Sequence, residues 1–449
     1  MQNKNLNRRH FIKTTAAVAG AYALPQFAIA STVRANSKLN IACIGVGGRG
    51  NAHISACLSE NIVALCDADF DYAAKNAATA PANAKRFTDY RVMLDKMGNE
   101  IDAVTIATPD HNHFPIAMAC MAMGKHVVIE KPLTHTVWEA RTLQKAAKRY
   151  RVITQMGNQG HATDHIRMGK EWVQAGCIGN VTEVHAWNGG PGQRYFGTRN
   201  TFPPPTAPIP KSLNWDLWLG PRSKRAYSPD YGPLTWRGWW DFGSGSLGDW
   251  GCHTVDMPFW ALDLDAPVSV QAQVGPSRAA AFIPDWSIVT WEFAARGTMP
   301  PVTVTWYDGG KKPKPPIGMK EVKKGGMYMV GSKATLMTGS RPNHGPYLTE
   351  LDKLAELKKN RPAESIARVE GGHWQEFFRA IKGTGPTPGS NFDYAVPLTQ
   401  MLLIGSVVQR FPGETLHWDN NVGQFKNHEN ANALLRFTPR EGWEEPDWV

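Results

Sequence analysis

The sequence predicts an α/β domain with a doubly wound parallel sheet, followed by an α+β domain built on a large, mostly antiparallel open sheet. Up to about residue 155, short apolar segments alternate with helical ones, and a glycine-rich turn follows the first of them. Beyond that point strand-like segments follow one another, separated by long proline-rich connections. Alternation of strands and helices is typical of a parallel sheet, and runs of strands are typical of an α+β domain.

The first domain, placed at residues 38–155, contains short apolar strands that each run towards a helix. A parallel sheet is covered on both faces, so its strands are expected to be apolar throughout. The predicted strands are 39–46, 62–66, 103–107, 127–129 and 152–154. The predicted helices are 51–58, 72–80, 114–123 and 137–150.

The second domain, placed at residues 156–410, has strands of partly alternating polarity and two late helices. The predicted strands are 181–187, 268–273, 287–293 and 302–307, and the predicted helices are 374–381 and 395–409. Residues 411–449 have little periodicity and are predicted to be a C-terminal extension over the surface of a domain or a partner subunit.

Residues 1–30 have the three parts of an export signal. The segment 8–13 (Arg-Arg-His-Phe-Ile-Lys) precedes an Ala-rich apolar run at 14–24, and Ala-Ile-Ala at 28–30 offers a cleavage site. The paired arginines favour a twin-arginine signal over an ordinary Sec signal, and the twin-arginine route exports folded proteins. We therefore expect a periplasmic or otherwise exported protein that meets the twin-arginine translocation machinery. The apolar run is too short for a stable membrane span, which needs about 20 residues.

Charge and cysteine spacing exclude several classes of site. The chain of 449 residues carries a formal charge of +10, and its basic residues are scattered apart from the Pro- and Gly-rich run 311–324. That run predicts a solvated loop rather than a nucleic-acid surface. The six cysteines form no Cys-x-x-Cys pair. No metal site and no disulfide framework are therefore expected.

The glycine-rich turn after the first strand has the spacing Gly-x-Gly-x-x-Gly and predicts a Rossmann dinucleotide site. Such glycines permit a tight turn, close approach of the pyrophosphate and tight helix packing. Asp67 closes the second strand, where a carboxylate can accept the ribose hydroxyls and repel a 2′-phosphate. This favours NAD over NADP, although Arg49 could pair with a phosphate. The predicted cofactor residues here are Gly45, Gly47, Gly48, Arg49, Gly50 and Asp67.

Three further segments indicate chemistry. Residues 108–113 and the run Glu130–Pro132 follow two strands, at the edge where cofactor and substrate meet in a doubly wound sheet. In segment 248–256, Asp249, His253 and Asp256 have the spacing i, i+4, i+7 and would share one face of a helix. A carboxylate beside an imidazole orients the ring and raises its basicity.

With these motifs the chain resembles the Gfo/Idh/MocA oxidoreductases, the glucose–fructose oxidoreductase and inositol dehydrogenase group, over most of residues 38–410. The resemblance rests on the glycine turn, Thr-Pro-x-x-x-His ending at His113, Gly-Lys-His at 124–126, Glu-Lys-Pro and Asp-x-x-x-His. It implies that Lys131, Asp249 and His253 contact the sugar hydroxyl and the nicotinamide. It also implies a homodimer or homotetramer. The cofactor residues assigned to the two loops are Thr108, Pro109, His113, Glu130 and Lys131.

The expected roles follow from hydroxyl oxidation. His253, oriented by Asp249, is the first choice for the base that takes the hydroxyl proton. Lys131 would hydrogen-bond the same oxygen and stabilise a developing alkoxide. The alternative is that Lys131 is itself the base, because a cationic neighbour can lower its pKa.

Substrate contacts are predicted less sharply. Aromatic faces stack on the C–H faces of sugars, and segment 236–250, rich in Trp, Gly and Asp, leads into the helix that carries the Asp-x-x-x-His pair. The candidate substrate residues are Asn158, His161, Trp239, Trp240 and Asp256.

Three functions remain open at this point. The first is an exported oxidoreductase that acts on a ring hydroxyl of a sugar or glycoside with tightly bound, internally recycled NAD. The second, by resemblance to glycoside hydrolase family 109, is net hydrolysis by transient C3 oxidation, elimination and re-reduction. It needs a further base, for which Tyr195, Tyr231 and His161 are candidates. The third is an inactive carbohydrate-binding scaffold, which the presence of Lys131, Asp249 and His253 disfavours.

Overall fold

The computed structural model describes residues 37–189, 202–342 and 344–444. Residues 1–30, the predicted signal, and Tyr195 lie outside the described part. Within it, a parallel sheet is followed by a larger, mostly antiparallel one, which confirms the predicted fold class.

The first sheet has six parallel strands in the order β3-β2-β1-β4-β5-β6. They are β1 (Asn40–Ile44), β2 (Asn61–Cys66), β3 (Lys85–Phe87), β4 (Ala103–Ile106), β5 (His126–Ile129) and β6 (Thr154–Met156). The strand order reverses between β1 and β4, so a crevice opens at the carboxyl ends of these two strands. The edge strand β3 was not predicted because its sequence, Lys-Arg-Phe, has no apolar run.

Five helices connect these strands. They are α1 (Gly50–Cys57), α2 (Phe70–Ala77), α3 (Tyr90–Met97), α4 (His113–Ala122) and α5 (Val137–Tyr150). The start of α5 is fixed by a capping box, in which the Thr136 side chain accepts from the Glu139 amide and Glu139 accepts from the Thr136 amide.

The second sheet has nine strands in the order β13-β12-β11-β7-β10-β9-β8-β14-β15, and only β7 and β10 pair in parallel. They are β7 (Val181–Asn188), β8 (Ser269–Val274), β9 (Ser287–Phe293), β10 (Val302–Tyr307), β11 (Gly325–Gly331), β12 (Thr335–Thr338), β13 (Tyr347–Leu348), β14 (Thr415–Asp419) and β15 (Gln424–Phe425). The structure corrects the prediction for residues 411–449, because β14 belongs to the sheet and pairs with β8. Only Leu416 and Trp418 point inward from it, too few for a visible pattern.

The helices of the second domain pack against both domains. They are α6 (Asp164–Gln174), α7 (Trp215–Leu219), α8 (Gly245–Thr254), α9 (Asp256–Ala261), α10 (Leu351–Lys359), α11 (Gly372–Ile381), α12 (Phe392–Val408) and α13 (Glu429–Asn432). Helix α12 packs on the second sheet, where the Trp291 indole donates to the Met401 carbonyl at 3.0 Å. Helix α11 instead packs on the first domain, since Phe377 shares a core with Ile41 and Ile54.

The described residues contain no membrane-spanning helix, no disulfide bond and no candidate metal site. No helix there is long and apolar enough to cross a membrane. All six cysteines lie in this part of the chain and are free thiols. The same residues contain no group of three or more His, Cys, Asp or Glu side chains placed to hold a metal ion.

Candidate active site

A cleft of about 620 Å³ opens at the carboxyl ends of β1, β2, β4 and β5 and continues between the two domains. The predicted residues that line it are Gly45, Gly47, Gly48, Arg49, Asp67, Thr108, Pro109, Glu130, Lys131, Asp249 and His253. The predicted residues absent from its lining are Gly50, His113, Asn158, His161, Trp239, Trp240 and Asp256.

The glycine turn leaves no room for a side chain at Gly45 or Gly50. Gly45 has φ +76°, and a Cβ on it would lie 2.7 Å from the carbonyl carbon of Ala107. A Cβ on Gly50 would lie 2.1 Å from the Gly45 oxygen, so Gly50 acts through packing rather than by lining the cleft. Because α1 begins at Gly50, the positive end of its dipole faces the turn, which suits a phosphate.

Asp67 is held at the end of β2 by backbone donors. Its Oδ2 accepts from the amides of Val46 at 2.8 Å and Gly47 at 3.0 Å. Burial raises the pKa of Asp67, and the backbone hydrogen bonds oppose that rise. A carboxylate has more acceptor sites than these bonds use, so Asp67 can also accept ribose hydroxyls.

Arg49 forms an ion pair with Glu130. Its Nε donates to Glu130 Oε1 at 2.6 Å, and His53 Nε2 lies 3.1 Å from the same oxygen. Burial acts to raise the pKa of Glu130, but the His53 hydrogen bond and the Arg49 charge hold it well below its ordinary value. This ion pair orients Arg49 towards the Glu130 loop.

His113 joins the two loops at the cleft edge. Its Nδ1 lies 3.0 Å from the carbonyl oxygen of Pro132, and its Nε2 lies 2.9 Å from that of Thr108. The ring is buried, and burial lowers its pKa to about 4. His113 therefore positions the two loops from below instead of contacting the cleft.

Lys131 and Asp249 form the central ion pair of the cleft. The Lys131 ammonium donates to the Asp249 carboxylate and, at 2.8 Å, to the Asp249 carbonyl oxygen. Arg237 Nε lies 3.4 Å from the same carboxylate. Asp249 was expected to orient His253. Its carboxylate instead pairs with two cations, Lys131 and Arg237.

His253 lies beside this pair and is 2% exposed. Its Nδ1 has no hydrogen-bond partner among the described residues. Burial lowers the pKa of His253 well below its ordinary value, and the charges of Lys131 and Arg341 act in the same direction. The ring is therefore neutral at neutral pH.

Two family models match the chain across both domains. "Oxidoreductase family, NAD-binding Rossmann fold" matches residues 39–158, and "Oxidoreductase family, C-terminal alpha/beta domain" matches residues 166–299. The chain belongs to the Gfo/Idh/MocA oxidoreductase family. This confirms the identification made from the motifs.

Similar proteins include two with named activities. Levoglucosan dehydrogenase of Pseudarthrobacter phenanthrenivorans is 25% identical over 294 residues, which are 63% of this chain and 62% of that protein. A glycosyl hydrolase family 109 protein of Shewanella pealeana is 28% identical over 210 residues, 40% of this chain and 45% of that protein. The chain therefore spans less than two thirds of the length of either relative.

Solved structures share the fold at low identity. The WlbA dehydrogenase of Bordetella pertussis, in complex with NADH and UDP-GlcNAcA, superposes with a TM-score of 0.59 at 18% identity, covering 85% of this chain and 99% of that one. Levoglucosan dehydrogenase in complex with NADH and levoglucosan has a TM-score of 0.56 at 18% identity, covering 84% and 99%. These likenesses establish a common two-domain architecture for this Gfo/Idh/MocA chain.

Asp256 and its neighbours form a separate buried network. Asn158 Nδ2 donates to Asp256 Oδ2 at 3.1 Å, His161 Nδ1 lies 2.9 Å from Oδ1, and the Tyr394 hydroxyl donates to Oδ1 at 2.6 Å. The continuous helix expected over Asp249, His253 and Asp256 ends at Thr254, and α9 starts afresh at Asp256. The three predicted substrate residues therefore join β6, α9 and α12 outside the cleft lining.

The tryptophans that line the cleft differ from those predicted. Trp239 is buried in an aromatic cluster, and its indole donates to the Asp230 carbonyl at 3.2 Å. Trp240 lies beside Arg410, outside the lining. Trp236 and Trp250 line the cleft in their place.

Several polar residues of the cleft were not predicted, and three of them are charged side chains near Lys131 or Trp250. These three are Asp110, Arg237 and Arg341. Asp110 lies inside the 108–113 motif, and Arg237 lies in the Trp-rich segment, so both had a sequence signal. Arg341, whose guanidinium lies 5.0 Å from the Trp250 ring centre, belongs to no motif.

Because Asp110 is buried, the stability of the folded protein should depend on pH through this carboxyl group. It is 4% exposed and accepts from the Ser244 hydroxyl at 2.7 Å, and burial raises its pKa from 3.8 to about 7. Between these values the folded protein binds more protons here than the unfolded chain, so stability falls as pH rises. Relative to Asp110→Asn, the wild-type unfolding free energy should fall by up to about 1.4 kcal/mol per pH unit.

Urea unfolding from about pH 5 to about pH 8 measures this difference. Asn keeps an oxygen that can accept from Ser244, so the comparison removes the titration rather than the contact. Asp95→Asn, on the exposed face of α3, is the control and should follow the wild-type slope. Parallel slopes for wild type and Asp110→Asn would contradict a raised pKa.

Proposed function

We propose that this protein oxidises a ring hydroxyl of a sugar or glycoside, or catalyses the reverse reduction, with NAD. The observation that carries the proposal is that Lys131 and His253 share one cleft with the glycine turn. The names of its relatives, levoglucosan dehydrogenase and inositol 2-dehydrogenase, support this substrate class.

The roles proposed for the side chains follow from their charges. A nicotinamide cofactor held by the glycine turn and Asp67 would supply the hydride acceptor for the carbinol carbon, or the hydride donor in the reverse reaction. The neutral His253 ring takes the hydroxyl proton, and the alkoxide that develops beside it favours the protonated ring. Lys131, held by Asp249, donates to the same oxygen and stabilises its negative charge. Lys131 as the base is the alternative assignment.

The first test asks whether the purified protein contains a nicotinamide nucleotide. The purified full chain is denatured and the released nucleotide is identified by its absorbance and by mass. The intact protein is then offered single sugars and cyclitols, and the absorbance of reduced nicotinamide is followed. Absence of any nicotinamide, together with no binding of added NADH, would contradict the proposal.

We further propose that the protein is exported folded and retains its cofactor. The paired arginines of segment 8–13 support the twin-arginine route, and little free NAD exists outside the inner membrane. The reduced cofactor must then be reoxidised in place, for example by a second sugar. Replacing both arginines by lysine should keep the protein out of the periplasmic fraction, as detected by immunoblotting.

The proposed preference for NAD over NADP depends on Asp67. Its carboxylate repels a 2′-phosphate, whereas Asn keeps an oxygen for the amides of Val46 and Gly47 and loses only the bond from the Asp69 amide. Asp67→Asn should raise the affinity for NADPH relative to NADH at least tenfold, measured by fluorescence titration of both. Asp71→Asn, an exposed change on nearby α2, should leave the ratio unchanged. An unaltered ratio in Asp67→Asn would remove Asp67 as the determinant.

A second candidate function is net glycoside hydrolysis through transient oxidation. That route needs another group to exchange a proton, and Asp110, with its pKa raised to about 7, lines the cleft. Of the candidates considered for this base, Tyr231 also lines the cleft, whereas His161 does not. Repeated release of p-nitrophenol from p-nitrophenyl glycosides without added NAD would favour hydrolysis. A single turnover that leaves reduced cofactor would favour the dehydrogenase.

A further inference from the structure

The cleft has a roof over the end where adenosine would lie. Asp67 after β2 and Thr88 after β3 form its floor in the first domain. The opposite wall comes from the second domain and the C-terminal region, through Leu213, Trp215, Trp218 and Trp443. A nucleotide bound by the glycine turn would therefore be enclosed by side chains from three distant parts of the chain.

The first part of the roof is tied to the nucleotide-binding loop itself. Leu213 forms an antiparallel bridge with Asp69, and the Asn214 amide donates to the Ala68 carbonyl at 2.8 Å. Residues 68 and 69 directly follow the carboxylate proposed to bind ribose. Segment 213–218 is thus fastened across the end of β2.

Arg440 fastens the C-terminal region to that segment. Its Nε donates to the Gly220 carbonyl at 2.7 Å, and its Nη2 donates to the Asp216 carbonyl at 2.8 Å. Its Nη1 lies 2.6 Å from the Asp216 carboxylate, and the side chain is 8% exposed. One guanidinium therefore makes three contacts to α7 and the residue that follows it.

Trp443 connects the same C-terminal region to the first domain. Its amide donates to the Arg440 carbonyl at 3.0 Å, and the Arg91 guanidinium lies 4.6 Å from its ring centre. Arg91 donates in turn to Asp89, at the start of α3. Segment 440–443 thus bridges segment 213–218 and the loop after β3.

We propose that segments 213–218 and 440–443, together called the cover, retain the nicotinamide dinucleotide. The inference rests on the proposed function in that it takes NAD as the occupant of the cleft. For the adenosine to leave, the cover must separate from the loops after β2 and β3, which breaks the Asn214–Ala68 hydrogen bond and exposes Trp443. Arg440 ties the two segments of the cover to each other, so that neither can open alone. Opening of the cover therefore limits the rate at which cofactor exchanges.

The test measures cofactor release from the full chain. Protein loaded with NADH is mixed with excess NAD, and the loss of energy transfer from tryptophan to NADH gives the dissociation rate. We expect Arg440→Ala and Trp443→Ala to release NADH at least tenfold faster than wild type, with Arg440→Lys in between. Arg368→Ala is the matched control and should stay within twofold, because it removes a forked ion pair to Glu171 outside the cleft lining.

The outcomes separate the cover from the proposed function. Wild-type release rates in both Arg440→Ala and Trp443→Ala would overturn the cover while leaving NADH as a ligand. Failure of the wild type to bind NADH would overturn both proposals. If Arg440→Ala does not melt cooperatively, Trp443→Ala and Arg440→Lys decide, and wild-type rates in those two would overturn the cover.

Discussion

Lys131→Ala is expected to lower kcat by about 10²- to 10⁴-fold while NAD remains bound, the range typical of groups that handle the reacting proton or its charge. The ammonium is one of the two cations that the Asp249 carboxylate holds in the cleft. Without it, an alkoxide would have no donor at this position. Initial rates of cofactor reduction with a saturating sugar measure the loss, and the nucleotide content of the purified variant measures binding.

Lys170 offers a closely matched control. Its ammonium also pairs with an aspartate, Asp263, and donates to a backbone carbonyl, that of Trp260 at 2.8 Å. Both lysine side chains are 12% exposed, but Lys170 does not line the cleft. Lys170→Ala should keep the wild-type kcat. Equal rates for the two variants would remove Lys131 from the chemistry.

The first domain could be predicted because its signals are local. A strand such as β4 is four consecutive buried residues, and the glycine turn needs its residues in fixed order. Strand β3 was not predicted because it is defined by its hydrogen bonds to β2 rather than by buried side chains. Strand β14 was not predicted because its position is set by pairing with β8, which is distant in sequence.

In the site, too, contacts between residues close in sequence could be predicted and contacts between distant residues could not. Spacing along α8 placed Asp249 near His253, but spacing cannot rank that neighbour against Lys131, which arrives from a loop 118 residues away. An ammonium is also the better partner for a partly buried carboxylate than a neutral ring. Asp256 was misplaced because α8 ends at Thr254 and the Asp256 carboxylate is held by Tyr394 of α12, which is distant in sequence.

The sequence could not reveal Arg341 or Trp443 for a related reason. A cleft between domains is lined by whatever side chains the later loops bring to it, and such loops carry no periodicity. Arg341 follows β12, and Trp443 lies almost at the end of the described chain. Their positions depend on how the second sheet docks on the first, which only the assembled fold defines.

His253→Ala should lower kcat by about 10²-fold or more, and added imidazole should restore part of the rate. The deletion leaves a ring-sized space in the lining of a cleft of about 620 Å³, so a small base can enter it. Because only neutral imidazole accepts a proton, the restored rate should rise as pH increases through the pKa of imidazole. A purely structural role for His253 would give no such dependence on concentration and pH.

His373→Ala serves as the matched control for this last experiment. That ring is also buried, with its pKa lowered by burial to about 3, and both of its nitrogens lack hydrogen-bond partners among the described residues. It does not line the cleft, so its deletion leaves a comparable cavity away from the substrate. Any loss of activity in His373→Ala should follow its loss of thermal stability and should not respond to imidazole. If His253→Ala behaves in the same way, Lys131 is left as the base, and the two assignments of the proton are thereby decided.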